Sequence, residues 1–168
     1  MISEKMNVVL NEQVNAEMFS SYLYLAMSAW FSQRSLPGFA NWMRVQAEEE
    51  QFHAMKIYDY ILERGGSIEL KSIDKPETKW ESPLDVIGDV VAHEAKVTGL
   101  INDLMEVAIA QKDHAANIFL QWFVHEQVEE EDSVGEVCDR LKMIGNDSAG
   151  MFAMDLELGK RVFTPPVA

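Results

Sequence analysis

Four long stretches of this chain place apolar residues in alternating steps of four and three, the spacing of one buried face of a helix. From about Glu4 to Gln33 that face reads Met6, Leu10, Gln13, Glu17, Ser20, Tyr24, Met27 and Phe31. From about Gly38 to Arg64 it reads Phe39, Met43, Gln46, Glu50, His53, Ile57 and Tyr60. From Pro83 to about Gln111 it reads Leu84, Ile87, Val91, Glu94, Thr98, Ile101, Met105 and Ala108. From His114 to about Ile144 it reads Ala116, Leu120, Phe123, Gln127, Glu130, Val134, Val137 and Leu141. A shorter fifth stretch, about Ala149 to Val162, shows Met151, Phe152, Leu156 and Leu158. No segment reads as a strand.

The breaks between these stretches carry their own signals. Ser35-Leu36-Pro37-Gly38 ends the first, with Ser35 able to cap the second and Pro37 tolerated only near a helix start. Gly65-Gly66 stops the second with the left-handed cap that glycine allows. From Gly65 to Glu81 the periodicity disappears, leaving a connection long enough to travel the length of a bundle. Ser82-Pro83-Leu84-Asp85 restarts a helix: Ser82 caps, Pro83 takes the first helical position, and Asp85 sits at the capping-box position. Asp113 is placed to cap the fourth helix, and Gly145-Asn146-Asp147-Ser148 stops it and caps the fifth. Thr164-Pro165-Pro166 ends the structured part. The expectation is an all-α, single-domain chain spanning 1–168. Four helices of about 30 residues, each roughly 45 Å long, are joined short, long, short. That order gives an up-down-down-up bundle with one crossover between helices two and three, plus a short fifth helix.

Each long stripe is apolar except near its middle. The first has Glu17 there, the second Glu50 and His53, the third Glu94, and the fourth Gln127 and Glu130. Glu50 and His53 are three apart and so share a helix face. Side by side, the helix midpoints come to one level, and these groups converge in a single layer. One such residue alone reads as an ordinary satisfied polar group of a core. Four carboxylates together in a dry core repel one another or take up protons, and bound cations resolve the conflict. Four Glu, one His and one Gln make an oxygen-rich site for two divalent ions. Redox-active iron suits it best and manganese second, while zinc favours fewer and softer ligands.

Composition narrows the classes further. A formal net charge of -14 argues against a nucleic-acid partner, because phosphate contacts need clustered Lys and Arg. It also fits both simple solubility and a surface that gathers cations. The single cysteine, Cys138, excludes an intrachain disulfide and a Cys-x-x-Cys metal knuckle, and it reads as a small residue on the fourth helix. Met1-Ile2-Ser3-Glu4-Lys5-Met6 has no signal-peptide pattern, and no apolar run has the length of a membrane span. The expectation is a cytoplasmic, soluble protein with no membrane partner.

With these residues in view, the chain resembles the ferritin-like di-iron carboxylate proteins over essentially its whole length. That family carries a Glu from each of two helices and a Glu-x-x-His from each of the other two. The departure here is Gln127-x-x-Glu130, without a histidine, which resembles the non-haem ferritins of bacteria and archaea. The runs Asn15-Ala16-Glu17-Met18-Phe19-Ser20-Ser21-Tyr22-Leu23-Tyr24, Glu48-Glu49-Glu50-Gln51-Phe52-His53 and His125-Glu126-Gln127-Val128-Glu129-Glu130-Glu131 are also similar to that family. Gln51 stands where a haem-binding bacterioferritin would carry methionine, so no haem is expected.

The resemblance implies iron storage with ferroxidase activity in a 24-subunit cage, with ferrous iron and dioxygen as reactants. It places one iron on Glu17, Glu50 and His53, and a second on Glu50, Glu94 and Glu130, with Gln127 beside it. A third site nearby would use Glu49, Glu126 and Glu129, with Glu130 shared, although a solvated helix face is the ordinary alternative for these acids. Tyr24 would be a hydrogen-bond partner to the centre and an electron donor, against the alternative of a plain core tyrosine. His93, His114, His125 and Trp122 are expected in packing or surface roles. Two rivals stay open on sequence alone. One is a di-iron oxidoreductase of another kind, and the other is a non-catalytic helical interaction module.

Overall fold

The structure is a computed structural model and describes residues 1–165; Pro166, part of the expected terminal break, lies outside them. Five helices follow in order: α1 (Glu4–Ser32), α2 (Pro37–Glu63), α3 (Pro83–Ala110), α4 (His114–Ile144) and α5 (Ser148–Leu158). No strand occurs among the described residues.

Most of the predicted punctuation acts as the sequence suggests. Ser82 accepts from the Asp85 amide and Asp113 from Ala116, and Ser3, which the sequence reading did not single out, accepts from Met6. Asp147 accepts from Ala149 and Gly150. Each satisfies a first-turn N–H that the helix itself leaves unpaired. Gly65 closes α2 at φ 71°, and the next amide, of Gly66, donates back to Ile61 at 2.9 Å.

Ser35 does not cap α2. It sits in the turn at φ 58°, and Leu36 takes the cap position with no side-chain bond. The missing acceptor arrives from far along the chain. Asp155, buried on α5, accepts from the Gly38 and Phe39 amides at 2.8 and 3.0 Å. The approach is so close that a β-carbon on Gly38 would stand 1.6 Å from the Asp155 carbonyl oxygen, so only glycine fits.

The ends fix the topology. The start of α1 meets the end of α3 through Ser3 and Gln111. The end of α2 meets the start of α4 through Arg64, whose guanidinium donates to both Asp113 oxygens at 3.1 and 3.0 Å. At the opposite end the Trp30 indole of α1 donates to the Trp80 carbonyl, just before α3. The helices therefore run up, down, down, up, as predicted, with the crossover lying between α2 and α3. Asn7 and Asn11 pin its first turn by side-chain bonds to Ser67 and Glu69.

The expected core stripes of α1, α2 and α4 are buried at every position. Two elements differ. On α3, Val86, Val90, Val97 and Leu104 are buried, whereas Leu84 is exposed and Val91, Thr98 and Met105 are half-buried. The helix has turned by about one residue, because valines on neighbouring positions allow two phases of the same pattern. The fifth helix stops at Leu158 rather than near Val162 and buries Met154, Asp155 and Leu158. Phe152 and Leu156 face outward.

The apolar interior is divided in two. One half gathers Tyr24, Met27, Phe31, Phe39, Met43, Ile87, Val137 and Leu141 around the α5 end. The other gathers Met6, Leu10, Ile57, Ile61, Ile101, Leu120 and Phe123 around the far end. Between them lies a layer of buried polar side chains.

Candidate metal centre

Each long helix delivers its polar group to this layer near its own midpoint, on the same face as the apolar residues above and below. Glu17, Glu50, His53, Glu94, Gln127 and Glu130 are all buried, none more than 5% exposed. Glu17, Glu50 and His53 each offer one ligand atom such that the three lie within 4.8 Å of one another. His53, Glu126 and Glu130 do the same on the α4 side. His53 stands between, with Nδ1 3.6 Å from Glu50 Oε2 and Nε2 3.8 Å from Glu126 Oε1.

Surrounding side chains hold these groups in place. Gln13 Nε2 donates to Glu17 Oε1 at 2.9 Å. The Tyr24 hydroxyl donates to Glu94 Oε1, and Gln127 Nε2 donates to Glu94 Oε2 at 3.3 Å. Gln46 Nε2 donates to Glu130 Oε2 at 2.8 Å. The His53 ring is enclosed edge-on by Phe52, Trp122 and Phe123. Glu17 Oε2 and Glu50 Oε2 have no hydrogen-bond partner although both are buried. A buried carboxylate oxygen without a donor is costly, and two of them facing one imidazole form a donor set suited to a divalent cation.

The electrostatics agree. Burial, then the nearby Glu50 carboxylate, pushes Glu17 well above the usual carboxyl range. Burial raises Glu50 to about 7, with Glu94 and Glu130 adding to the rise and His53 opposing it. Burial and the charge of Glu130 raise Glu94 to about 7. Burial disfavours charge on His53, but Glu126, Glu50 and Glu17 together outweigh it and hold the imidazole well above its ordinary value. Burial, then Glu94, raises Tyr24, so its phenol stays protonated and donates. In the absence of a cation the layer keeps protons; a cation would replace them.

The outlying expected residues take different positions. Glu126 joins the layer beside His53. Glu49, half-buried, instead accepts from Arg161 at 2.6 Å, and Glu129 faces solvent. Glu50, Glu94 and Glu130 are not drawn to one point as the Glu17 trio is, because Tyr24 and Gln127 hold Glu94 while Gln46 holds Glu130. His114 and His125 are exposed, and Cys138 is buried on α4. His93 packs between α1 and α3, with Nε2 2.8 Å from Ser20 Oγ, and burial, then Lys96, lowers it to about 4.

Three supporting groups had gone unassigned. Gln13 and Gln46 are polar interruptions of the stripes, one turn before Glu17 and Glu50, and could have been read as partners. Arg161 follows the last helix and carries no signal in its local sequence.

The ferritin-like domain family matches residues 8–144. The chain is 45% identical over 161 residues to a bacterial non-heme ferritin of Bacteroides fragilis, covering 96% of this chain and all of that protein. It is 42% identical over 163 residues to a bacterial non-heme ferritin of Staphylococcus haemolyticus, covering 97% and 98% of the two chains. Among solved structures it matches an open-pore ferritin of the hyperthermophilic archaeon Archaeoglobus fulgidus with a TM-score of 0.96 and 47% identity, covering 96% of this chain and all of that one. A closed form of that ferritin, engineered by site-directed mutagenesis, matches with a TM-score of 0.97 and 48% identity, over 98% of this chain and all of the other. A bundle with this connectivity, carrying carboxylates and a histidine at one buried level, and matched over nearly its full length, belongs to the ferritin-like family and, within it, to the non-haem ferritins, which store iron.

Proposed function

We propose that this chain oxidises ferrous iron with dioxygen at the buried carboxylate layer and passes the ferric product to mineral stored inside a homo-oligomeric cage. The observation that carries this is the pair of unpartnered oxygens on Glu17 and Glu50, aimed into a dry layer beside His53. Glu17, Glu50 and His53 hold one iron. Glu50, Glu94 and Glu130 hold a second, with Gln127 alongside. Glu126, Glu49 and Glu129, sharing Glu130, receive a third as it passes toward the cavity. Iron is the substrate here. Two ferrous ions release one electron each, and dioxygen accepts both.

The protein supplies position and charge. Hard carboxylate oxygens neutralise ferric iron better than ferrous and so favour the oxidised state. Tyr24 orients Glu94 through its hydroxyl, and on this reading it is also a donor of a further electron. Gln13 and Gln46 fix the Glu17 and Glu130 carboxylates, the role that partners behind metal ligands usually play. The acid groups give up protons as iron enters, so uptake releases acid.

The test is aerobic loading followed by sizing. Several hundred ferrous ions are added per cage, the sample is run on a size-exclusion column, and iron is counted in the protein peak. Hundreds of irons in one large, sharp peak are expected. About two irons per chain in a small particle would instead make the protein a di-iron enzyme with another substrate.

A further inference from the structure

Residues 159–165 leave α5 and lie along α2 beside the metal layer. The Asn41 amide group donates to the Arg161 carbonyl at 2.9 Å, and Phe163 packs on Phe52 with ring centres 6.1 Å apart. Between these two anchors the Arg161 side chain turns inward. One guanidinium nitrogen donates to Gln46 Oε1, and the other donates to Glu49 Oε2 at 2.6 Å. Gln46 in turn donates to Glu130. The guanidinium also lies 5.1 Å from the centre of the Trp42 ring. Both Arg161 and Glu49 are largely shielded, with side chains 24% and 19% exposed.

Glu49 is thus directed at Arg161, and the cluster of His53, Glu126 and Glu130 closes without it. We propose that Arg161 is a displaceable counter-charge, holding Glu49 out of that cluster until a third cation takes its place. This rests on the reading of the layer as a metal centre. A guanidinium is a permanent cation, unlike an imidazole or an amine. A divalent ion drawn onto Glu49 would face that charge at contact distance in a partly buried site, and one of the two must leave. The Arg161 bond to Glu49 and the cation then compete for the same carboxylate. By linkage, filling the third position loosens the terminal stretch, and loosening that stretch improves the third position by the same factor. Iron would be held weakly there while Arg161 remains, which suits an ion in transit better than one at rest.

Zinc is a redox-inert probe for the test. Isothermal titration of the metal-free oligomer with Zn(II) gives the binding steps, and hydrogen–deuterium exchange reads residues 159–165 at each equivalent. Two tight equivalents should leave exchange in 159–165 unchanged, and a weaker third should speed it. Arg161→Gln should tighten the third step by about tenfold and leave the first two as they were, whereas Arg161→Lys, which keeps the charge, should stay close to the unaltered protein. A third step that is equal in the Gln variant and the unaltered protein, absent from both, or bound with no change in exchange overturns the counter-charge role. Failure of the first two tight steps in the unaltered protein would instead overturn the metal-centre reading itself.

Discussion

Glu50 lies between opposite influences, since burial and its acidic neighbours keep it protonated while His53 favours its charge. Its carboxyl and that of Glu94 stand at about 7 in the folded chain, against 4.5 when unburied. Across that window the folded state holds more protons than the unfolded one, so metal-free stability falls as pH rises. Glu17 and His53 are shifted upward as well and act in the same direction. His93, held near 4 against 6.5, opposes the trend up to about pH 6.5, but it is one group against four raised ones; the lowered carboxyls of Asp113 and Glu157 have already ionised below this window. Each unit of separation corresponds to about 1.4 kcal/mol. The metal-free protein should therefore melt at a higher temperature at pH 5 than at pH 7.5. Glu50→Gln should flatten the slope, and saturating Zn(II) should reverse it, because the ligands bind metal only once deprotonated. Thermal denaturation over a pH series checks this; a metal-free melting point that rises from pH 5 to 7.5 would contradict it.

Among the elements, the joint between α2 and α5 is the one whose chemistry is least local. Removing the Asp155 carboxylate leaves two α2 amides without an acceptor, so Asp155→Ala should cost about 1–2 kcal/mol. Gly38→Ala drives a β-carbon into the α5 backbone and should cost more, detaching α5 from α2. Denaturant unfolding of both variants, with exchange measured on α5, tests the pair. Equal stability of Gly38→Ala and the unaltered protein would mean that α5 is not seated on α2 in solution. This joint also marks where sequence reading ends. Ser82-Pro83, Gly65-Gly66, Asp113 and Asp147 were legible because a cap and its helix are neighbours in the chain. The acceptor for α2 stands 117 residues beyond Gly38, and no local pattern announces it. The buried polar layer was legible for a related reason. Glu17, Glu50, Glu94 and Glu130 fall in the polar middles of stripes that are apolar toward both ends, and antiparallel helices of similar length bring their midpoints together. The phase of α3 was not, since Val90 and Val91, or Val97 and Thr98, serve almost equally well as core positions. On α5 the large residues Phe152 and Leu156 misled, because so short a helix offers too few turns to fix its face.

At the scale of the whole molecule the formal charge of -14 surrounds a layer that is itself acidic. Such a field draws cations from a distance and weakens with added salt. The initial rate of ferrous oxidation at limiting iron should fall several-fold between about 20 and 200 mM sodium chloride, with a smaller change at saturating iron. Stopped-flow absorbance would show it, and a rate indifferent to salt would mean that surface charge plays no part in delivery. The divided interior has a different consequence. An unbroken apolar core ties both ends of a bundle to one fate, whereas here a belt of buried polar groups divides the two oily halves. Without metal the belt is a seam, and each half can breathe or melt by itself. With metal it becomes a rivet that forces them to open together. Native-state amide exchange should then sort the empty protein into two groups of protection, one for each half, and merge them on loading. A chain built this way reports its cargo through the way it comes apart.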